Sequence, residues 1–111
     1  MKTDILDVLY VPEDNELNKL IDKLFTTSGD TGNWEVVAQP NYSEFPQVLF
    51  YDEMGNRIAD AVCNPMSYGH TEGLIEVMGE PLCQVDDDDV EGYLTADEVF
   101  IRWMNYLRER I

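Results

Sequence analysis

Acidic residues outnumber basic ones 23 to 7 in this chain of 111 residues, a formal net charge of -16. Self-repulsion of that size opposes compaction. Whatever the chain folds into must therefore bury enough apolar surface to overcome it. The apolar residues suffice: 44% of the chain is hydrophobic, spread along its length, which is too much for a disordered sequence. The length is that of one domain spanning 1–111, with core enough to stand without disulfides.

The same imbalance bears on partners. Nucleic acid and anionic membranes are poor ones. A basic protein is a good one, and so is a basic groove that ordinarily holds nucleic acid. Solubility alone asks for a charge of magnitude ~2–8 in a small domain and does not account for this value. No apolar run approaches the ~20 residues that span a bilayer. Met1–Val11 lacks a basic start, a long apolar stretch and a cleavage site, so the expected location is the cytosol, the host's if the chain is phage-encoded. In that compartment Cys63 and Cys83 are expected to be plain thiols.

The patterning predicts an α+β fold: a small, mostly antiparallel sheet with an N-terminal and a C-terminal amphipathic helix. Thr3–Val11 is apolar, rich in strand formers and stopped by Pro12. Leu17, Leu20, Ile21 and Leu24 recur at helical spacing, predicting a helix from Pro12 to Phe25. Glu13, Asp14 and Glu16 would lie in its first turn, where they complement the dipole. Thr26–Asn33 reads as a loop and Trp34–Ala38 as a strand, and Pro40 and Pro46 bracket a second loop. Gln47–Asp52 and Arg57–Cys63 are strand-like runs joined by Glu53-Met54-Gly55-Asn56, a hairpin connection. Leu74–Met78 fits a buried strand or one helical turn. At the C-terminus, Thr95-Ala96-Asp97-Glu98 is a capping box, with Leu94 and Val99 as its hydrophobic staple. It predicts a helix over Ala96–Glu109.

Catalytic signatures are absent: there is no P-loop, HExxH, CxxC or GxSxG. His70 with Ser67 and Cys63 is a thin basis for a nucleophile pair. A zinc site from Cys63, Cys83 and His70 lacks a fourth ligand. The expectation is a binding protein, not an enzyme, with no cofactor other than a possible calcium ion. Asp87–Glu98 (DDDVEGYLTADE) fits the twelve-residue EF-hand calcium loop. Asp87, Asp89 and Glu91 fill positions 1, 3 and 5, Gly92 the turn, the Tyr93 carbonyl position 7 and Glu98 position 12. Val90 at position 4 departs from the pattern, as do Gly79 and Pro81 where an incoming helix should run. Capping and a turn explain Glu98 and Gly92 equally well.

Two segments, Val62–Gly79 (VCNPMSYGHTEGLIEVMG) and Val90–Ile101 (VEGYLTADEVFI), resemble small uncharacterised proteins of phages and prophages of Gram-positive bacteria. Those proteins carry SYG…GLLE-like and VEGWLTAEEVF-like stretches. The resemblance covers less than half the chain and transfers no site residue. It implies a phage accessory protein, a class that includes inhibitors of host defence nucleases.

The acids are also clustered. Asp86, Asp87, Asp88 and Asp89 form a run that Glu91 extends, and Glu72, Glu76 and Glu80 recur every fourth residue. Between Glu72 and Glu91 there are eight acids and no Lys or Arg. Extended or helical, the glutamates would form a row, and DNA presents one charge per ~1.7 Å. The expectation is a DNA-mimicking surface of Glu72, Glu76, Asp86, Asp87, Asp88, Asp89 and Glu91. Tyr68 and Tyr93 would serve as aromatic anchors. Its target would be the basic groove of a host nuclease, a CRISPR effector being one such enzyme. The alternative is a calcium-binding regulatory module using Asp87, Asp89, Glu91, Tyr93 and Glu98.

Overall fold

The computed structural model describes residues 10–85 and 90–110. The fold is α+β: two helices and a five-stranded antiparallel sheet. Strands β1 (Asn33–Gln39), β2 (Tyr42–Tyr51), β3 (Arg57–Val62), β4 (Ile75–Met78) and β5 (Val90–Leu94) lie side by side in chain order. Helix α1 (Glu16–Thr26) precedes the sheet and α2 (Ala96–Glu109) follows it. A short 3-10 turn, His70–Glu72, interrupts the connection from β3 to β4. Among the described residues no helix is long and apolar enough to cross a membrane.

The strand period of two sorts side chains between the faces. Val48 and Phe50 of β2, Ala59 and Ala61 of β3, and Ile75 and Val77 of β4 all point to one side. There they form a single buried cluster with Leu17, Leu20 and Leu24 of α1 and Val99 and Trp103 of α2. Both helices therefore cover the same face. The intervening residues form the other face, where Glu35, Leu49, Asp60 and Met78 stand opposite one another across four strands. Asp60 is buried at 6% exposure, and its carboxylate accepts from Gln47 Nε2 at 2.6 Å and Arg57 at 2.9 Å.

Three boundaries depart from the sequence reading. Helix α1 starts at Glu16, not Pro12, because Asn15 is the cap: its side-chain oxygen accepts from the Asn18 N–H at 3.0 Å. Glu13 and Asp14 precede the helix. The loop expected between Pro40 and Pro46 is a two-residue turn, and β2 already begins at Tyr42. Proline is tolerated inside β2 because Pro46 pairs only with Ala38 of β1, and β3 joins from Gln47 onward. Of the strand expected at Thr3–Val11, only Tyr10 and Val11 are described, and neither is in a strand. The ambiguous Leu74–Met78 run is a strand, with Ile75 and Val77 fully buried.

The C-terminal helix forms as its capping box predicts. Glu98 N–H donates to Thr95 Oγ1 at 3.2 Å, and the Thr95 N–H donates to Glu98 Oε1 at 3.1 Å. The staple residues Leu94 and Val99 are both buried. Trp103 is the largest fully buried side chain. It lies 4.7 Å from the Phe50 ring and 5.4 Å from the Tyr106 ring, and its indole N–H donates to the Thr31 carbonyl at 2.7 Å. The backbone at Gly32 passes so close that a Cβ there would sit 2.8 Å from the indole. Trp103→Ala is expected to cost ~3–5 kcal/mol, through the cavity and the lost hydrogen bond. Thr95→Ala is expected to cost ~0.5–2 kcal/mol. Urea melts of the two variants check both values and their order.

Candidate partner-binding surface

The connection from β3 to β4 is built around Asn64. Its N–H donates to Ser67 Oγ at 2.9 Å, Ser67 Oγ donates back to the Asn64 carbonyl, and the Met66 N–H donates to Asn64 Oδ1. The Asn64 amide also donates to Gln39 Oε1 at 2.6 Å, anchoring the turn to the end of β1. Asn64, Ser67 and Gln39 are all buried, and the tightness of this network projects Met66 and Tyr68 outward, 71% and 61% exposed.

Tyr68 is then fixed on both sides. Its N–H donates to the Glu76 carboxylate of β4 at 3.0 Å, and its carbonyl accepts from the Tyr93 N–H of β5 at 3.4 Å. Gly92 makes this approach possible: a Cβ at that position would fall 2.2 Å from Tyr68 Cβ. Tyr93 has φ 63, alone among the described non-glycine residues in the left-handed region. That conformation costs roughly 1–2 kcal/mol. The contact with Tyr68 holds it in place, and its ring stands 61% exposed.

The structure therefore brings Tyr68, Glu76 and Tyr93 together. Glu72 lies close in the chain, exposed at the end of the 3-10 turn. Met66, which the sequence reading passed over, lies two residues before Tyr68 and is likewise exposed; the Asn64-Pro65-Met66-Ser67 turn was the available signal. The expected row of Glu72, Glu76 and Glu80 does not form. Positive φ at Gly73 and Gly79 breaks the segment between the three, so that Glu72 ends a turn, Glu76 stands in β4 and Glu80 follows the strand. Asp86, Asp87, Asp88 and Asp89 lie outside the described residues.

Glu91 has a different place. Both its oxygens face Arg102 of α2, at 2.8 and 3.1 Å, and one also accepts from the Gln84 N–H at 2.8 Å. The Arg102 guanidinium holds the Glu91 carboxyl below its ordinary range, against the opposing effect of burial. Glu91 thus ties β5 to the helical layer. Glu98, the expected ligand at position 12 of a calcium loop, has its carboxylate on Thr95. A cation in that loop would have to compete with Arg102 for Glu91. Among the described residues no three His, Cys, Asp or Glu side chains are grouped to hold a metal.

The remaining chemistry-bearing residues are held in the scaffold. His70 Nδ1 donates to the Tyr10 carbonyl at 2.9 Å, and Cys63 is a buried thiol pushed up to about 11 by desolvation. Charge is distributed unevenly. Lys19 pairs with Glu16, Lys23 with Asp97, Arg57 with Asp60 and Arg102 with Glu91. Arg108 and Arg110 stand at the C-terminal end of α2. No Lys or Arg occurs from Ile58 to Ile101, the stretch of chain that carries Tyr68, Glu72, Glu76 and Tyr93. No family model matches the chain, and no characterised protein or solved structure shows significant similarity to it.

Glu91→Gln is expected to lower stability by roughly 1–3 kcal/mol at neutral pH, since it weakens the pair that satisfies a nearly buried Arg102. Because the folded Glu91 pKa is depressed, its contribution is complete above the ordinary carboxylate value and disappears as pH falls through the folded value. Urea melts from neutral pH to about pH 3 should show the gap between wild type and variant closing with acid. A gap independent of pH would contradict the ion-pair account.

Proposed function

We propose that this chain is a binding protein for a basic, nucleic-acid-binding groove. The phage resemblance suggests a groove on a host defence nuclease, blocked by an acidic, DNA-mimicking surface. The observation that carries the reading is the use of cations within the fold. Four of the chain's seven Lys and Arg are engaged in ion pairs with four of its 23 carboxylates, so carboxylates dominate what is left to act outward. Such a field steers association with a positive groove.

Steering gives rate and register but little residence, which needs buried contacts. Tyrosines are favoured at such contacts because they bring large area at low conformational cost. Tyr68 and Tyr93 supply two, with backbones already held in place, and Met66 adds an adaptable apolar side chain. Glu72 and Glu76 flank them. The acidic run Asp86–Asp89 immediately precedes β5, which carries Gly92 and Tyr93, and enters this reading on its sequence.

A competition assay tests the proposal. The chain is used to capture basic proteins from a bacterial lysate, and labelled duplex DNA then competes for each captured nucleic-acid-binding protein at low and high salt. Replacing Asp86, Asp87, Asp88 and Asp89 with Asn should weaken competition several-fold at low salt, less at high salt as screening increases. Tyr68→Ala with Tyr93→Ala should weaken it at both salts, mainly through faster dissociation. A wild type that never competes with DNA would refute the mimicry.

A further inference from the structure

The two edges of the sheet are finished differently. On the β5 edge the Tyr93 N–H is taken by the Tyr68 carbonyl. Among the described residues β1, at the other end, pairs with β2 alone, and no backbone hydrogen bond reaches its outer side. Proteins blunt such an edge with lysine, proline, a bulge or a very short strand. β1 runs for seven residues, NWEVVAQ, with neither Lys nor Pro, and its one irregularity lies at the far end, between Ala38 and Gln39.

We infer that the outer edge of β1 is a docking strand for an extended segment in which apolar and basic side chains alternate. This rests on the proposed basic partner and adds a second contact to it. The neighbouring side chains define the alternation. On the helix side, Val36 is 36% exposed and Trp34 meets the Phe25 ring edge-on at 4.9 Å. Phe25 is itself 68% exposed near the end of α1. On the opposite side, Glu35 follows the period of two, and its carboxylate accepts from the Tyr51 hydroxyl. A strand added to β1 would therefore place alternate residues over Phe25 and Val36, and the others beside Glu35.

Charge selects the occupant. A second copy of the chain would bring another net charge of -16 against this edge, within a Debye length of ~10 Å at 0.1 M salt. A basic segment gains from the same field. Backbone pairing would supply affinity and the alternating side chains specificity.

The test uses the intact chain and a nine-residue peptide of alternating valine and arginine. A second peptide of identical sequence carries N-methyl groups along its pairing edge, which keep the charge but block strand addition. The first peptide should slow exchange of outward-facing amides in Asn33–Gln39 at least tenfold. The methylated peptide should bind at least tenfold more weakly at the same salt. Phe25→Ala and Glu35→Gln, both at exposed positions, should each weaken the first peptide several-fold without unfolding the chain. Equal binding of the two peptides, or protection confined to the Glu72–Glu76 region, would overturn the inference in favour of general charge attraction. Protection of β1 without peptide, together with a dimer in sedimentation, would overturn it in favour of self-pairing. The outcome is separable from the DNA competition. Failure of the peptide with competition intact removes only the β1 contact, whereas peptide binding without competition removes the proposed mimicry.

Discussion

Seven cations cannot neutralise 23 carboxylates, and the structure meets this shortage with backbone N–H groups. Glu16 accepts from the Ala96 N–H at the start of α2, which fastens the beginning of one helix to the beginning of the other. Asp30 accepts from Gly32, and Asp52 from Met54 and Asn56. Glu76 accepts from Tyr68, Glu91 from Gln84 and Glu98 from Thr95. A hydrogen bond to an ionised acceptor is roughly twice as strong as a neutral one. Each also satisfies a donor that a turn or helix end leaves without a partner. Acidity is thus built into the connections of the fold, where it organises loops. The cations are kept for joints: Lys23 reaches Asp97 between the helices, and Arg102 reaches Glu91 between helix and sheet.

That arrangement explains why the two faces of the molecule differ. The helical layer holds Lys19, Lys23, Arg102, Arg108 and Arg110, whereas β4 and the connection before it hold none. Apolar burial drives compaction, and two of the four ion pairs, Lys23–Asp97 and Arg102–Glu91, join separate elements. Neither Glu72 nor Glu76 takes part in any of the four. The acidic potential and the exposed tyrosines therefore arise in one region for a common reason: a connection with no Lys or Arg must satisfy its turns through Asn64, Ser67 and Glu76.

Legibility from the sequence follows the range of the interactions. The second helix was readable to the residue because its capping box, staple and periodicity all lie within fourteen residues of chain. The β2–β3 hairpin was readable because Gly55, at φ 85, stands where the turn needs it. Local signals also misled. Pro12 and the acids after it looked like a helix start, but Asn15 caps more effectively than any of them. Pro46 looked like a strand breaker, and only the pairing of its neighbours shows that its missing N–H is harmless there. At the candidate surface, Tyr68, Tyr93 and Glu76 could be nominated by type. Their mutual contact could not, because it depends on Gly92 admitting a loop from more than twenty residues upstream.

Glu91 shows why a motif and a fold can compete for the same letters. A calcium loop needs a turn-forming glycine and a carboxylate six residues later that closes the cage. A strand running into a capped helix, with a loop packed on the strand, needs a residue without a side chain at the packing point. It also needs a glutamate three residues past the cap. Gly92 and Glu98 meet both descriptions at the same spacing. Glu91 belongs to both as well, but its partner in the fold, Arg102, lies eleven residues on, about two turns into α2, and no loop pattern contains it. The bidentate pair at 2.8 and 3.1 Å uses the oxygens a cation would need. The arginine that ties the strand to the helix is therefore also what a metal would have to displace. Tyr93, two residues beyond Glu91, has its strained backbone between that ion pair and the hydrogen bond to the Tyr68 carbonyl.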